Sequence, residues 1–284
     1  MSTAPVRANA TVRDDSTVDP FFIVTRTALS IAGSDPSGGA GIQADLKTFA
    51  AQGVHGAAAI TALTAQNTRG VQAVHPVPAG FVADQVRAVL EDLDVGAIKI
   101  GMLGSSEVTA AVAEVLAGRP DIPVVLDPVM VAAGGEPLLD EDAVAALLAL
   151  VPCAALMTPN VHEAGLLLEA APAQSLSELH EQAKRLLSLG ADAVLLKGGR
   201  LDLGARAIDV LALPGVQAVA LEHDRVPAAR VHGGGCTLSA AIAARVLLGD
   251  PLEAAVSHAR AYVRAALMRG LTDPPGGGAT ALLH

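Results

Sequence analysis

Short apolar runs alternate along this chain with segments of helical periodicity, and that alternation constrains the fold most. Thr27–Ala32, Ala57–Leu63, Ala97–Ile100, Val124–Leu126, Ala155–Met157 and Ala193–Leu196 are too short to be helices. Each is predicted to be a strand buried on both faces. Gly41–Gln52 carries Ile42, Leu46 and Phe49 at helical spacing, and Pro78–Leu93 places Phe81, Val82, Val86, Val89 and Leu90 on one face. Further helices are predicted at about 105–117, 140–150, 161–169 and 175–189. This order calls for an α/β fold: a three-layer α/β/α sandwich with a mostly parallel central sheet.

The rest of the chain reads differently. Ile208–Leu213, Val216–Leu221 and Val226–Val231 are short strand candidates around Pro214-Gly215, which suggests a meander. Helices are expected at about 236–248 and 251–269. Residues 271–284 are rich in Gly and Pro and are expected to be loosely ordered. Residues 1–26 are polar and aperiodic, a disordered tail before one domain spanning 27–284. They lack the apolar stretch and cleavage site of a signal peptide.

Composition narrows the function. Hydrophobic residues make up 51% of the chain and aromatics only 2%, so Ala, Val, Leu and Ile must build the core. A net charge of −10 without a basic stripe speaks against nucleic acid as a partner. Scarce aromatics argue against a base-stacking surface. No apolar run reaches the ~18 residues of a membrane span. Two cysteines, Cys153 and Cys236, fit a reducing compartment, and the cytoplasm is expected.

Two glycine loops carry the chemistry. Gly33-Ser34-Asp35-Pro36-Ser37-Gly38-Gly39-Ala40-Gly41 follows the first strand, at the sheet edge where ligands bind in open α/β folds. Gly39–Ala44 matches the dinucleotide fingerprint, but no acid lies between Asp45 and Asp84 to hold a ribose, so that reading fails. A plain flexible turn is the bland alternative. Asp35 and Asp45, flanking the loop, favour a ligand site. Gly233-Gly234-Gly235-Cys236-Thr237 precedes an apolar helix, and its free N–H groups suit an anion. Cys236 there is either a thiolate with a depressed pKa or a small buried hydrophobe. Cys153 has no such setting and reads as structural. Asp127-Pro128 and Thr158-Pro159-Asn160-Val161-His162-Glu163 end two other strands. Asn160 and Glu163 suit either a helix capping box or a hydrated Mg²⁺ near phosphate, and both readings hold together. Lys197 before Gly198-Gly199 is a phosphate contact or a surface charge. No cluster of Cys and His has zinc-ligand spacing.

In order, these pieces resemble the hydroxymethylpyrimidine/phosphomethylpyrimidine kinases, thiamine-synthesis enzymes of the ribokinase superfamily. The likeness runs from Ala32–Phe49 through Ile60–Thr68, Lys99–Leu103, Leu126–Met130, Thr158–Asn160 and Lys197–Gly199 to His232–Ala241. It implies two successive ATP-dependent phosphorylations. The first acts on 4-amino-5-hydroxymethyl-2-methylpyrimidine and the second on its monophosphate. By that likeness Gln66 bonds the aminopyrimidine edge, Met102 packs on the ring, and Gly33 and Asp45 lie beside it. Cys236 is the general base, and Gly233, Gly234 and Gly235 form the anion loop. Asn160 and Lys197 approach ATP phosphates, and Glu163 and Asp127 flank Mg²⁺. Val231 and Gly234 stand where the family usually has Thr, so two hydroxyls are missing. A homodimer is implied as well. A pyridoxine or pyridoxal kinase is the near alternative, and a non-catalytic ligand-binding protein of the same fold the more distant one.

Overall fold

The computed structural model describes residues 26–130, 141–199, 201, 204–228 and 230–284. The chain runs β1 (Thr27–Ser34), α1 (Gly41–Ala51), β2 (His55–Asn67), β3 (Gly70–Pro76), α2 (Ala79–Asp92), β4 (Val95–Ile100) and α3 (Ser106–Ala117). It continues through β5 (Val124–Leu126), α4 (Glu141–Leu150), β6 (Leu156–Met157), α5 (Val161–Leu167), α6 (Leu176–Leu187) and β7 (Val194–Lys197). Last come β8 (Arg206–Ala212), β9 (Val219–Asp224), β10 (Val231–His232), α7 (Gly234–Leu247), α8 (Leu252–Thr272) and β11 (Thr280–Ala281).

One sheet has the order β3-β2-β1-β4-β5-β6-β7-β8-β9. Strands β2, β1, β4, β5, β6 and β7 pair in parallel, while β3, β8 and β9 are antiparallel at the two edges. Buried residues alternate between its faces with the strand period of two. Leu29, Ile31, Ile98, Ile100, Leu126 and Val210 pack with residues of α2 to α6. Ala28, Ala97, Val125, Leu195 and Leu211 pack on the other side with α1, α7 and α8. The expected three-layer α/β/α sandwich follows from this two-faced burial.

Three expectations need correction. The strand predicted at Ala57–Leu63 continues to Asn67, so Gln66 lies inside β2 and not past it. Beyond Leu63 the strand leaves the helix-covered sheet and pairs with β3, a largely exposed edge strand without an apolar run. That is why periodicity missed β3. The strand predicted at Val226–Val231 shrinks to β10, a two-residue element. Residues 271–284, expected to be loose, form β11, which pairs in parallel with β10. Leu282 behind it is 3% exposed, held by Ala266 and Leu267 of α8. The predicted tail, apart from exposed Arg26, lies outside the described residues.

Candidate active site

From β1 the chain steps one way to β2 and then returns to the other side at β4. Ligands bind at such a switch point, beyond the carboxyl ends of the strands. A cavity of about 300 Å³ opens there. Gly33 near the end of β1, Gln66 of β2, Lys99 of β4 and Met102 just beyond it line one part. Asp127, Asn160, Glu163, Lys197 and residues 233–236 line the rest. Of the predicted site residues, only Asp45 is not in the lining.

The first glycine loop is built around Asp35. Its carboxylate accepts from the Ser37 backbone and hydroxyl, from the Ala40 N–H at 2.8 Å and the Gly39 N–H at 3.2 Å. His232 Nε2 lies 2.8 Å from the same carboxylate. Burial alone would raise the Asp35 pKa, but the bonds from His232 and Ser37 outweigh it and hold it at about 2. Gln43 steadies the loop from inside α1, accepting from the Asp35 N–H and donating to Ser34. The two glycine loops touch. A Cβ on Gly39 would stand 2.4 Å from the His232 ring, and one on Gly233 would stand 1.7 Å from the Gly39 carbonyl oxygen. Gly233 also has φ 79° as the N-cap of α7, a left-handed conformation that glycine adopts without strain.

Two acid–lysine pairs underlie the second loop. Lys99 Nζ is 2.8 Å from Asp45, and both side chains are fully buried. Ser30 donates to the same Asp45 oxygen at 2.6 Å, and Asp45 Oδ1 has no partner. Burial disfavours the Lys99 ammonium, yet Asp45, together with Cys236 and Asp127, outweighs it and holds the pKa above the ordinary lysine value. Lys197 Nζ bonds Asp127 at 2.8 Å, and Thr158 donates to Asp127 at 3.2 Å. Lys197 is therefore no mere surface charge: burial is again outweighed, by Asp127 and Glu163, and its pKa is raised. A Cβ on Gly235 would lie 3.2 Å from Asp127 Oδ2 and 3.3 Å from Lys197 Nζ, so glycine there lets the pair sit directly against the loop.

Of the two readings of Cys236, the thiolate with a depressed pKa fails. Burial, seconded by Asp45 and Asp127, pushes its pKa up to about 11 despite Lys99 and a bond from the Gly41 backbone. The free protein therefore holds a thiol near neutral pH, not a thiolate. The helix-end effect is too small against burial beside two carboxylates. Cys153, expected to be structural, is exposed.

Asn160 and Glu163 form the foreseen capping box. Asn160 accepts from the His162 and Glu163 N–H groups at 2.9 and 3.0 Å, and Glu163 accepts from the Asn160 N–H at 2.7 Å. Both still face the cavity. Among the described residues, no group of three His, Cys, Asp or Glu is placed to cage a metal ion. An acidic pair beside a phosphate loop fits Mg²⁺ bound mainly through phosphate and water. Sequence reasoning gave no role to Lys99, His232, Thr64 or Val71, which also line the cavity. A lysine inside the apolar run Ala97–Ile100 was the available signal, because a charge in a buried strand needs a partner.

A parallel-sheet switch point with buried lysines beneath a glycine-rich helix start suits a small anionic ligand, as the resemblance to small-molecule phosphotransferases of the ribokinase-like fold implies. Comparison with known proteins narrows this. The family model for phosphomethylpyrimidine kinase matches residues 35–280. The chain is 53% identical over 245 residues to the hydroxymethylpyrimidine/phosphomethylpyrimidine kinase of Rhizobium meliloti, covering 86% of this chain and 91% of that one. It belongs to the phosphomethylpyrimidine kinase family. The crystal structure of phosphomethylpyrimidine kinase from Clostridium difficile superposes with a TM-score of 0.75 at 38% identity, covering 85% of this chain and 99% of that chain. An ADP complex of Bacillus subtilis pyridoxal kinase gives 0.78 at 34% identity, covering 86% and 92%. Among the described residues no helix is long and apolar enough to cross a membrane.

Proposed function

We propose that this chain transfers the γ-phosphoryl group of ATP to the hydroxymethyl oxygen of 4-amino-5-hydroxymethyl-2-methylpyrimidine, and then a second one to the monophosphate. The observation that carries this is one cavity holding Gln66 and Met102 together with the 233–235 loop, Cys236 and Lys197. In this reading the Gln66 amide supplies both a donor and an acceptor to the aminopyrimidine edge. Met102 covers the ring, and Gly33 gives it room, since a Cβ there would stand 2.5 Å from Met102 Cε. Asp45, fully buried outside the cavity lining, anchors Lys99 beneath the ring site. Loop N–H groups and Lys197 neutralise the transferred phosphoryl, which needs positioning and charge more than covalent chemistry.

Asp127 and Glu163 would hold Mg²⁺, with Asn160 beside the phosphates. When bound, the ion supplies charge neutralisation between phosphate oxygens. Cys236 takes the alcohol proton in the first step. Because its pKa is about 11, the competent thiolate is scarce at neutral pH and grows about tenfold per pH unit below that value. In the second step the nucleophile is an ionised phosphate oxygen and needs no base. Residues 27–284 would work as one kinase domain behind a tail at 1–26. A homodimer is supported only by the family likeness, and the cytoplasm by two unpaired cysteines.

The test measures ATP consumption by the purified chain with Mg²⁺ and each alcohol in turn. The pyrimidine alcohol and its monophosphate should be turned over, and pyridoxal much more slowly. Ready turnover of pyridoxal without either pyrimidine would reassign the protein to the neighbouring vitamin kinases. No consumption with any alcohol would favour a binding protein.

A further inference from the structure

Residues 276–284 add a second bridge between two parts of the cavity wall, which the first glycine loop also links through Thr64 to Ser34 and Asp35 to His232. At one end the segment lies on the tip of the β2–β3 hairpin. The Ala279 N–H donates to the Thr68 carbonyl at 2.7 Å, and the Gly278 N–H donates to the Thr68 hydroxyl at 3.2 Å. Thr68 is two residues from Gln66. The approach is too close for a side chain, because a Cβ on Gly278 would fall 2.1 Å from the Thr68 carbonyl oxygen. At the other end β11 pairs with β10, Val231 opposite Thr280 and His232 opposite Ala281. β10 leads directly into Gly233, and His232 is the residue that bonds Asp35 of the first glycine loop.

The segment is itself held firmly. A Cβ on Gly270 of α8 would lie 1.9 Å from the Ala281 carbonyl oxygen, so the helix seats the strand at contact distance. The Leu283 N–H donates to the Ala266 carbonyl, and Arg269 donates to the Leu283 carbonyl at 2.9 Å. His284 Nδ1 lies 3.0 Å from the Tyr262 hydroxyl. A loose tail would make none of these contacts together.

We propose that segment 276–284 is a positioning element of the active site. It fixes the hairpin carrying Gln66 at one spacing from β10 and the phosphate loop. It acts through those two walls and touches no reacting atom. The proposal rests on the pyrimidine kinase reading for its kinetic consequences, but not for its effect on the phosphate loop.

Three proteins test it: the full chain, a chain ended after Gly277, and Gly278→Ala. Each is assayed for melting, for steady-state kinetics of the first phosphorylation, and for iodoacetamide labelling of Cys236 in the free protein. Labelling is resolved by peptide mass, because Cys153 is also free and exposed. In Gly278→Ala the added methyl lifts the segment from the hairpin only. The expected result is a pyrimidine KM raised about fivefold or more, with kcat and the ATP KM near wild type. In the shortened chain the phosphate loop also loses its tie. Its kcat should fall about tenfold or more, and Cys236 should be labelled several times faster. Labelling is read without substrate, so it judges the segment even if another alcohol proves to be the substrate. If the shortened chain does not fold, Gly278→Ala decides. Wild-type KM in Gly278→Ala, or wild-type labelling in a folded shortened chain, would overturn the proposal.

Discussion

Gln66 sits in β2 between exposed Ala65 and Asn67, half-buried, with its Oε1 accepting from Thr64 at 3.1 Å. Nothing in the local hydrophobic pattern marks it. It was legible only as part of a resemblance spread over many motifs. Gln66→Ala should weaken pyrimidine binding by about 1–3 kcal/mol, the usual cost of leaving a buried polar partner unsatisfied. Calorimetry would check this, with ATP binding unchanged. Cys236 teaches the opposite lesson. Its place after three glycines was visible, but its ionisation was not, because that depends first on burial and then on Lys99, Asp45 and Asp127 brought in from other elements. Two further residues are linked in space. A Cβ on Gly234 would stand 3.0 Å from Val231 Cγ1, so the two positions lacking the family's usual Thr are neighbours. Gly234→Thr with Val231→Thr should lower the ATP KM severalfold, since two hydroxyls return near the phosphate loop. Gly234→Thr alone should gain less, because its methyl or hydroxyl presses on Val231. Steady-state kinetics of the three variants would test the order.

Among elements, the buried parallel strands and the helices between them were readable because burial on both faces leaves unbroken apolar runs. β3 and β11 were not. β3 is an exposed edge, and β11 is two residues in a Gly/Pro-rich stretch whose order comes from β10 and α8. The tie between the first glycine loop and β10 has a measurable stability signature. Asp35 has an ordinary pKa of 3.8 and a folded value of about 2. A carboxyl depressed on folding stabilises fully above its unfolded pKa, and that contribution is lost as pH falls through the folded one. The contribution is about 2 kcal/mol at neutral pH. Urea unfolding from pH 5 to pH 2 should therefore show a steeper loss for wild type than for Asp35→Asn. Parallel acid limbs would mean that the bonds to the Asp35 carboxylate, from Ser37 as well as His232, add nothing to stability.

At the scale of the whole molecule, the sheet brings residues from β1, β2, β4, β5, β6 and β7 to one edge, and α7 closes it from one face. The class of fold followed from the strand–helix alternation alone. Assembly of the cavity did not, because Lys99, Asp127 and Lys197 meet only through the strand order. We propose that this one cavity performs both phosphorylations and that Cys236 serves the first as base. Single-turnover kinetics of each step, in wild type and Cys236→Ala from pH 6 to pH 10, tests it directly. In wild type the first step should quicken steadily with pH, without levelling near neutrality, because the thiolate fraction keeps rising toward pH 11. Cys236→Ala should slow that step about 10²–10⁴-fold, the usual worth of general-base help, and remove that rise. The second step should change little in either respect. Equal losses in both steps, or a first step indifferent to pH in wild type, would make Cys236 a structural member of the phosphate loop and not the base.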